Sequence, residues 1–501
     1  MKNILVNLFG KGLSALLSFA FIPIYINLLG KESFGLIGFL ATIQAVFVLL
    51  DGGFSTGYMR QVSKYSVNVN DNLKKIVDLT RGVELIFFVL SLCILILIFN
   101  LSSVIVNDWL DIPYYLVSES ITCIKIAAFI ISFQFLVLFY QSGMIGFQKF
   151  ISINVVNLCC NVSKLLLALI FMYFFEKKVI YVFYSYLTIT VLQTLIYAYI
   201  LKKTISYNRI KINFSDSILE VSNIKSFIGG MAFISLTSAV ISQIDKLLVS
   251  GMLSISSYAN YIIAATLSTI LLTVSSPIAS AIYPKLIQKI TDSDIAKYYH
   301  DSCQTVSIFI YPLSMTMFIF VDKILEIWLS STFIEHEIVI VSKVLILGTT
   351  ILAIMAMPHF LALANGNTSI SIKVNILNII IIIPLMIVLA KKFGVFGVAI
   401  SWLVMNVIFL FIYIVYVHKL YLKGEMFKWY VYDNLKFLII CLVISYFFYF
   451  SMNKYNVNSY FCIIISLIMS FIVSVKFSNL FILLKGISYA SFCSNTNKGK
   501  N

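Results

Sequence analysis

Charge is what this sequence lacks. Of 501 residues only 11% are charged, whereas soluble globular chains carry about 25%. The length alone would suit several soluble domains, but a mean hydropathy of +0.99 makes lipid the solvent for most of the chain. Other absences narrow the chemistry. The eight cysteines, Cys93, Cys159, Cys160, Cys441 and Cys462 among them, lie in or beside apolar runs, with neither zinc-type spacing nor a disulfide framework. They read as small core residues. The histidines His300, His336, His359 and His418 are isolated from one another and no H-E-x-x-H run occurs, which argues against a metallohydrolase and implies no metal and no other cofactor. Gly10-Lys11 is followed by Gly12 and lacks the upstream glycine of a phosphate-binding loop, so direct nucleotide drive is not expected. A net charge of +15 could suggest nucleic acid, but no polar domain exists to display a basic patch.

What is present is a series of long apolar runs, 60% of the residues being hydrophobic. The runs predict an all-α polytopic membrane protein of fourteen transmembrane helices: Ile4 to Leu29, Gly35 to Met59, Glu84 to Val106, Ser120 to Met144, Ile151 to Phe175, Val179 to Leu201, Ser226 to Ser250, Tyr258 to Pro284, Cys303 to Val321, Ile338 to Leu363, Ile370 to Ala390, Phe396 to Val417, Val431 to Ser451 and Ser459 to Leu484. Strands of a barrel would instead show about ten residues of alternating polarity. The first run outlasts a signal-peptide core and is read as a retained span.

Basic residues orient these spans. With the N-terminus in the cytoplasm, 23 of the 36 Lys and Arg fall in the termini and cytoplasmic loops, seven in the opposite loops, and six inside or near the ends of spans. Both termini are therefore expected in the cytoplasm, and the bilayer itself is a partner for the basic stretches 60–82 and 202–225. The chain also repeats itself weakly. Asn154-x-x-Asn157 recurs as Asn375-x-x-Asn378 at an offset of 221, and Leu29 to Gly35 aligns loosely with Leu253 to Ala259 at 224. A duplication of six helices gives parallel halves: an N-terminal lobe (1–225), a second lobe (226–425), two further helices (426–485) and a tail (486–501).

Several short motifs carry a resemblance. Pro23-Ile-Tyr-Ile-Asn-Leu-Leu-Gly30, Phe34-Gly35, Leu50-Asp51-Gly-Gly53 and Arg60 look like the start of bacterial polysaccharide repeat-unit flippases of the Wzx type, which carry O-antigen and capsule units and belong to the multidrug/oligosaccharidyl-lipid/polysaccharide exporter superfamily. Gln243-Ile-Asp245-Lys246, Tyr258, Ala281-Ile-Tyr-Pro284-Lys285-Leu286, Ile324-Leu-Glu-Ile-Trp328-Leu329 and Asn365-Gly366 resemble that family in the second half. Membership implies two six-helix lobes in a V around a central cavity, alternating access, and an undecaprenyl-diphosphate-linked oligosaccharide flipped to the outer leaflet of the bacterial inner membrane. It implies no enzyme activity, and a polysaccharide polymerase with its chain-length machinery is a further expected partner. Rivals with a related fold are a drug or cation exporter, which calls for an acidic and aromatic cavity, and a peptidoglycan-precursor flippase. A glycan polymerase or ligase calls for a sizeable outer loop, and none is visible.

A diphosphate and its sugars need a wet path, because each unpaired polar group costs about 2 to 7 kcal/mol in hydrocarbon. On the fifth span Asn154, Asn157, Asn161 and Lys164 stand at about 0°, 300°, 340° and 280°, a single polar stripe. It reads either as cavity lining, with Lys164 meeting a diphosphate or a carboxylate, or as amide bonding between helices. Asn375 and Asn378 are the matching positions in the other lobe. Lys11, between two glycines, reads as a first phosphate contact or as a side chain reaching the headgroups. For Lys125, Lys246 and Lys343 snorkelling outward is the default reading. Gln44, Gln134, Gln141, Gln193 and Gln243 add amides suited to sugar hydroxyls. Asp51 and Asp245 are the deepest acids and the candidates for coupling to an ion gradient, with structural ion pairing as the competing reading. Asp51 reads as part of a kink or close-packing site rather than a cap, and Lys246, 100° round the helix from Asp245, need not pair with it.

Overall fold

The computed structural model describes residues 2–49, 51, 53–205, 217, 220–222, 225–290, 292, 294–329, 335–366 and 369–478. The expected tail 486–501, the end of the last run and most of the connection 202–225 lie outside the described residues. Among those described, the chain is helical, with one isolated bridge between Asp111 and Ser254. Hydrocarbon leaves a backbone no other solvent for its N–H and C=O groups, so apolar runs of this length must be helices.

In order these are α1 (Lys2–Leu29), α2 (Lys31–Leu49), α3 (Phe54–Tyr65), α4 (Val69–Val104), α5 (Tyr114–Gly146), α6 (Phe150–Phe174), α7 (Ile180–Thr204), α8 (Lys225–Met252), α9 (Ile255–Gln288), α10 (Ile295–Ile319), α11 (Val321–Leu329), α12 (His336–Ile354), α13 (Ala356–Ala364), α14 (Ser369–Tyr421), α15 (Lys436–Tyr455) and α16 (Ser459–Lys476). Among the described residues eleven stretches are long and apolar enough to cross a membrane. The longest, Lys373–Tyr421, covers the eleventh and twelfth expected runs. Gly394, at φ 58° and ψ −139°, divides it. A Cβ on Gly397 would stand 2.1 Å from the Leu389 carbonyl oxygen, so the chain doubles back there at a point that admits no side chain.

Two compact units, Met1–Ile262 and Ile263–Asn501, divide the chain inside α9. In the first unit α3, α4, α5 and α7 enclose an aromatic core. The rings of Tyr58 and Phe139, and of Phe87 and Phe135, are 5.0 Å apart between centroids. Tyr58 shares a hydrogen bond of 2.9 Å with Thr80. Glu84 accepts from the Tyr140 hydroxyl at 2.6 Å and pairs with Lys202 at 2.8 Å, tying α4 to α5 and α7. In the second unit α10 packs on α15 and α16. There Thr316, Ser445 and Ser466 form a hydroxyl cluster at 3.1 to 3.3 Å, small polar residues letting the helices approach and bond across the seam.

Candidate functional site: a polar cavity on the sixth helix

The turn into α6 fixes the stripe. After Gly146 the chain passes through Gln148 at φ 56°, and the Lys149 N–H returns to the Met144 carbonyl at 3.0 Å. α6 then starts at once, and its 3.6-residue period brings Asn154, Asn157, Asn161 and Lys164 to one side. All four line a cavity of about 740 Å³ within the first unit. Gln44 from α2, Gln134 and Gln141 from α5, and Gln193 from α7 line it too. Its described lining thus offers amides and one cation, with no carboxylate.

The four stripe residues are held differently. Asn157 is tightly fixed, its Oδ1 accepting from Gln193 Nε2 at 2.9 Å and from the Tyr197 hydroxyl at 2.7 Å. Tyr197 also donates to the Ile153 carbonyl at 3.1 Å, locking α7 against α6. Asn154 is buried and donates to the Phe150 carbonyl at 2.8 Å. Lys164 meets no carboxylate among the described residues. Its ammonium stands among amides, which can solvate the charge without neutralising it.

The remaining sequence-derived residues are elsewhere. Lys11 lies on α1, with its side chain outside what is described. Asn375 and Asn378 stand on α14 in the second unit, Asn378 buried with no hydrogen-bond partner for its Oδ1 among the described residues. Asp51 is buried in the break between α2 and α3, where the chain turns at Gly53, and its carboxylate also serves the start of α3, a role the sequence reading sets aside. Its carboxylate accepts from the Gly53 N–H at 2.7 Å and the Ser55 N–H at 3.2 Å, and from the Ser55 hydroxyl. The Gly53 amide precedes α3 and the Ser55 amide lies in its first turn, where a helix offers its own N–H groups no partner. Asp245 also departs from expectation. Lys246 reaches its Oδ1 at 3.2 Å although the two Cβ atoms diverge, because the four-carbon stem of lysine folds back along the helix, where its ammonium also donates to the Ser242 carbonyl at 3.2 Å. The Tyr261 hydroxyl supplies a further bond to Asp245 at 2.7 Å. Lys125 and Lys343 each lie over a phenylalanine ring, Phe99 at 5.4 Å and Phe318 at 6.0 Å.

A second polar assembly escaped the sequence reading. In the second unit His300 of α10, 1% exposed, contacts Asp433 through Nδ1 and Glu425 through Nε2, the latter at 3.0 Å. Gln304 donates to Asp433 at 2.9 Å, and Ser307 and Tyr311 bond Asn434 at 3.2 and 3.4 Å. Asp433 and Asn434 sit in a π-helical segment, Trp429–Leu435, that leads into α15. The signal was available. His300, Gln304, Ser307 and Tyr311 fall within about 60° of one another on α10.

Comparison with known proteins follows the same outline. A "Putative O-antigen transporter" of Shigella flexneri is 24% identical over 410 residues, covering 80% of this chain and 94% of that protein. The fold is similar to that of the lipid II flippase MurJ in an inward closed conformation, with 15% identity, a TM-score of 0.72, and 95% and 98% of the two chains covered. It is also similar to an inward-facing multidrug resistance MATE family transporter of the MOP superfamily, with 11% identity, a TM-score of 0.66, and coverage of 82% and 96%. These relatives are transporters and flippases, not enzymes. Residues 1–290, a stretch that includes every residue lining the polar cavity, match the family model for polysaccharide biosynthesis proteins, and the chain, a multi-pass membrane transporter, belongs to that family.

Proposed function

We propose that the protein flips undecaprenyl-diphosphate-linked oligosaccharide repeat units of O-antigen or capsule from the cytoplasmic to the outer leaflet of the bacterial inner membrane. The observation that carries this reading is the lining of the α6 cavity, with its three asparagines, four glutamines and single lysine unopposed by any described carboxylate. Amides offer both donors and acceptors to sugar hydroxyls, and one cation suits a phosphate. A cationic drug would meet like charge there and no counter-ion, which disfavours the exporter reading.

In this scheme Lys164 meets the diphosphate, Asn154, Asn157 and Asn161 meet sugar hydroxyls, Lys11 makes an early phosphate contact, and Asn375 and Asn378 contribute from the lobe 226–425. Alternating access between the lobes moves the headgroup while the prenyl tail stays in lipid, and flipped units pass to a polymerase outside. Asp245, bonded to Tyr261 and Lys246, is the candidate for ion coupling. Asp51 is the lesser one, since its carboxylate serves the start of α3. Deleting the gene should abolish the surface glycan and leave lipid-linked repeat units in the inner leaflet. Intact surface glycan without such accumulation sinks the reading. If peptidoglycan precursor accumulates instead, the substrate is that lipid.

A further inference from the structure

A recess of about 470 Å³ opens where α6 begins and α7 ends, lined by Lys149, Ser152, Tyr199, Ile200, Lys203 and Thr204. It lies on the far side of α6 from the polar cavity: Lys149 and Ser152 stand about 140° and 160° round that helix from Asn154. The Lys149 ammonium is steadied by a bond to the Thr204 hydroxyl at 2.8 Å. The Lys203 ammonium lies 5.7 Å from the centre of the Tyr199 ring. Among the described residues no carboxylate pairs with either, whereas neighbouring Lys202 is taken by Glu84. Two uncompensated cations therefore flank a hollow that also carries the hydroxyls of Ser152 and Tyr199, and this set recognises a phosphate.

The surface beside the recess is apolar. On α7, Leu192, Leu195, Ile196 and Tyr199 are exposed and share one face with Lys203 at its end, spread over about 100°. On α6, Ile151 and Val155 are exposed next to Ser152. A free anion would use the recess and leave this face idle, while a lipid-linked substrate would be bound with its back to the polar cavity. Basic pockets between membrane helices suit anionic headgroups. We infer that the recess binds an anionic phospholipid, its phosphate between Lys149 and Lys203 and its acyl chains along the exposed face of α6 and α7. The site is independent of the transport reading.

The test uses the full-length protein in neutral detergent, titrated with phosphatidylglycerol or phosphatidylcholine, with bound lipid read by native mass spectrometry. Phosphatidylglycerol should be retained in preference. The K149Q/K203Q variant should bind it about thirty-fold more weakly, following the contribution of each basic side chain near a membrane surface. K419Q/K423Q, which removes the same charge elsewhere, should bind as the parent does. Equal loss in both variants would reduce the effect to diffuse surface charge and overturn the site. So would equal retention of phosphatidylcholine, or displacement of phosphatidylglycerol by inorganic diphosphate or undecaprenyl diphosphate at lower concentration. Each of these is a binding measurement, so its failure leaves the flippase proposal standing, and the failure of that proposal leaves this one.

Discussion

Both units bury polar side chains at depths where water is scarce, and they treat them in opposite ways. Around His300 in the second unit the charged and amide groups pair with one another: imidazole between two carboxylates, carboxylate bonded by imidazole and amide, asparagine bonded by two hydroxyls, while the rings of Tyr299 and Trp429 pack beside them. Around Lys164 in the first unit the groups open onto a cavity and the cation is left uncompensated. Closed networks add rigidity, since every partner removed strands another buried group. An open, under-satisfied lining costs stability and is retained where a ligand completes it. Under the proposed function, the contrast would separate residues that hold this protein together from residues that act on a substrate.

The sharpest way to break that contrast is Asp433→Ala. It takes from His300 one of its two carboxylates and from Gln304 an acceptor, and should cost about 3 to 5 kcal/mol, seen as a lower melting temperature in detergent and reduced abundance in the membrane. An unchanged melting temperature would remove the network from the structural side of the comparison. Asn157→Ala comes next, because Asn157 belongs to both classes. Loss of the acceptor for Gln193 and Tyr197 should cost about 1 to 3 kcal/mol and also impair transport, so the variant must be compared with the parent at matched protein level. Full complementation at that level would make the stripe interhelical glue. Asp51→Ala should remove the cap of α3 at about 1 kcal/mol, with Asp51→Asn recovering most of it. If Asp51→Asn is stable and yet transports nothing, the carboxylate serves coupling after all. No loss of stability is expected for Lys164→Gln, which removes an uncompensated cation and leaves an amide in its place, while transport should fall about tenfold to a hundredfold, the worth of a charge-assisted hydrogen bond. A large melting shift with intact transport would place Lys164 among the structural groups.

The α6 stripe was readable from sequence because helical period alone decides which residues share a side, and the four glutamines that join it lie in apolar runs where an amide stands out. The apolar runs likewise announced helices, since lipid leaves the backbone no alternative. Other features depended on contacts between distant segments. His300 and Asp433 are 133 residues apart, and nothing local to either one foretells the pairing. Cβ geometry alone misjudged Asp245 and Lys246, where the flexible stem of lysine overrides the divergence of the Cβ atoms. Asp51 misled for a different reason: the glycines after it suggested close packing, whereas the left-handed turn at Gly53, φ 76°, is what directs the next amides to its carboxylate.

The reversal at Gly394 bears on how the protein is made. A continuous helix of the 53 residues in α14 would be about 80 Å long, more than twice the hydrocarbon thickness of about 30 Å. Because the two arms meet without an intervening loop, they are expected to insert together as one helical hairpin. The connection is short but not hidden, since Lys391, Lys392 and Phe393 just before Gly394 are exposed. Any side chain at residue 397 would therefore be expected to act first during membrane insertion, before transport is ever tested.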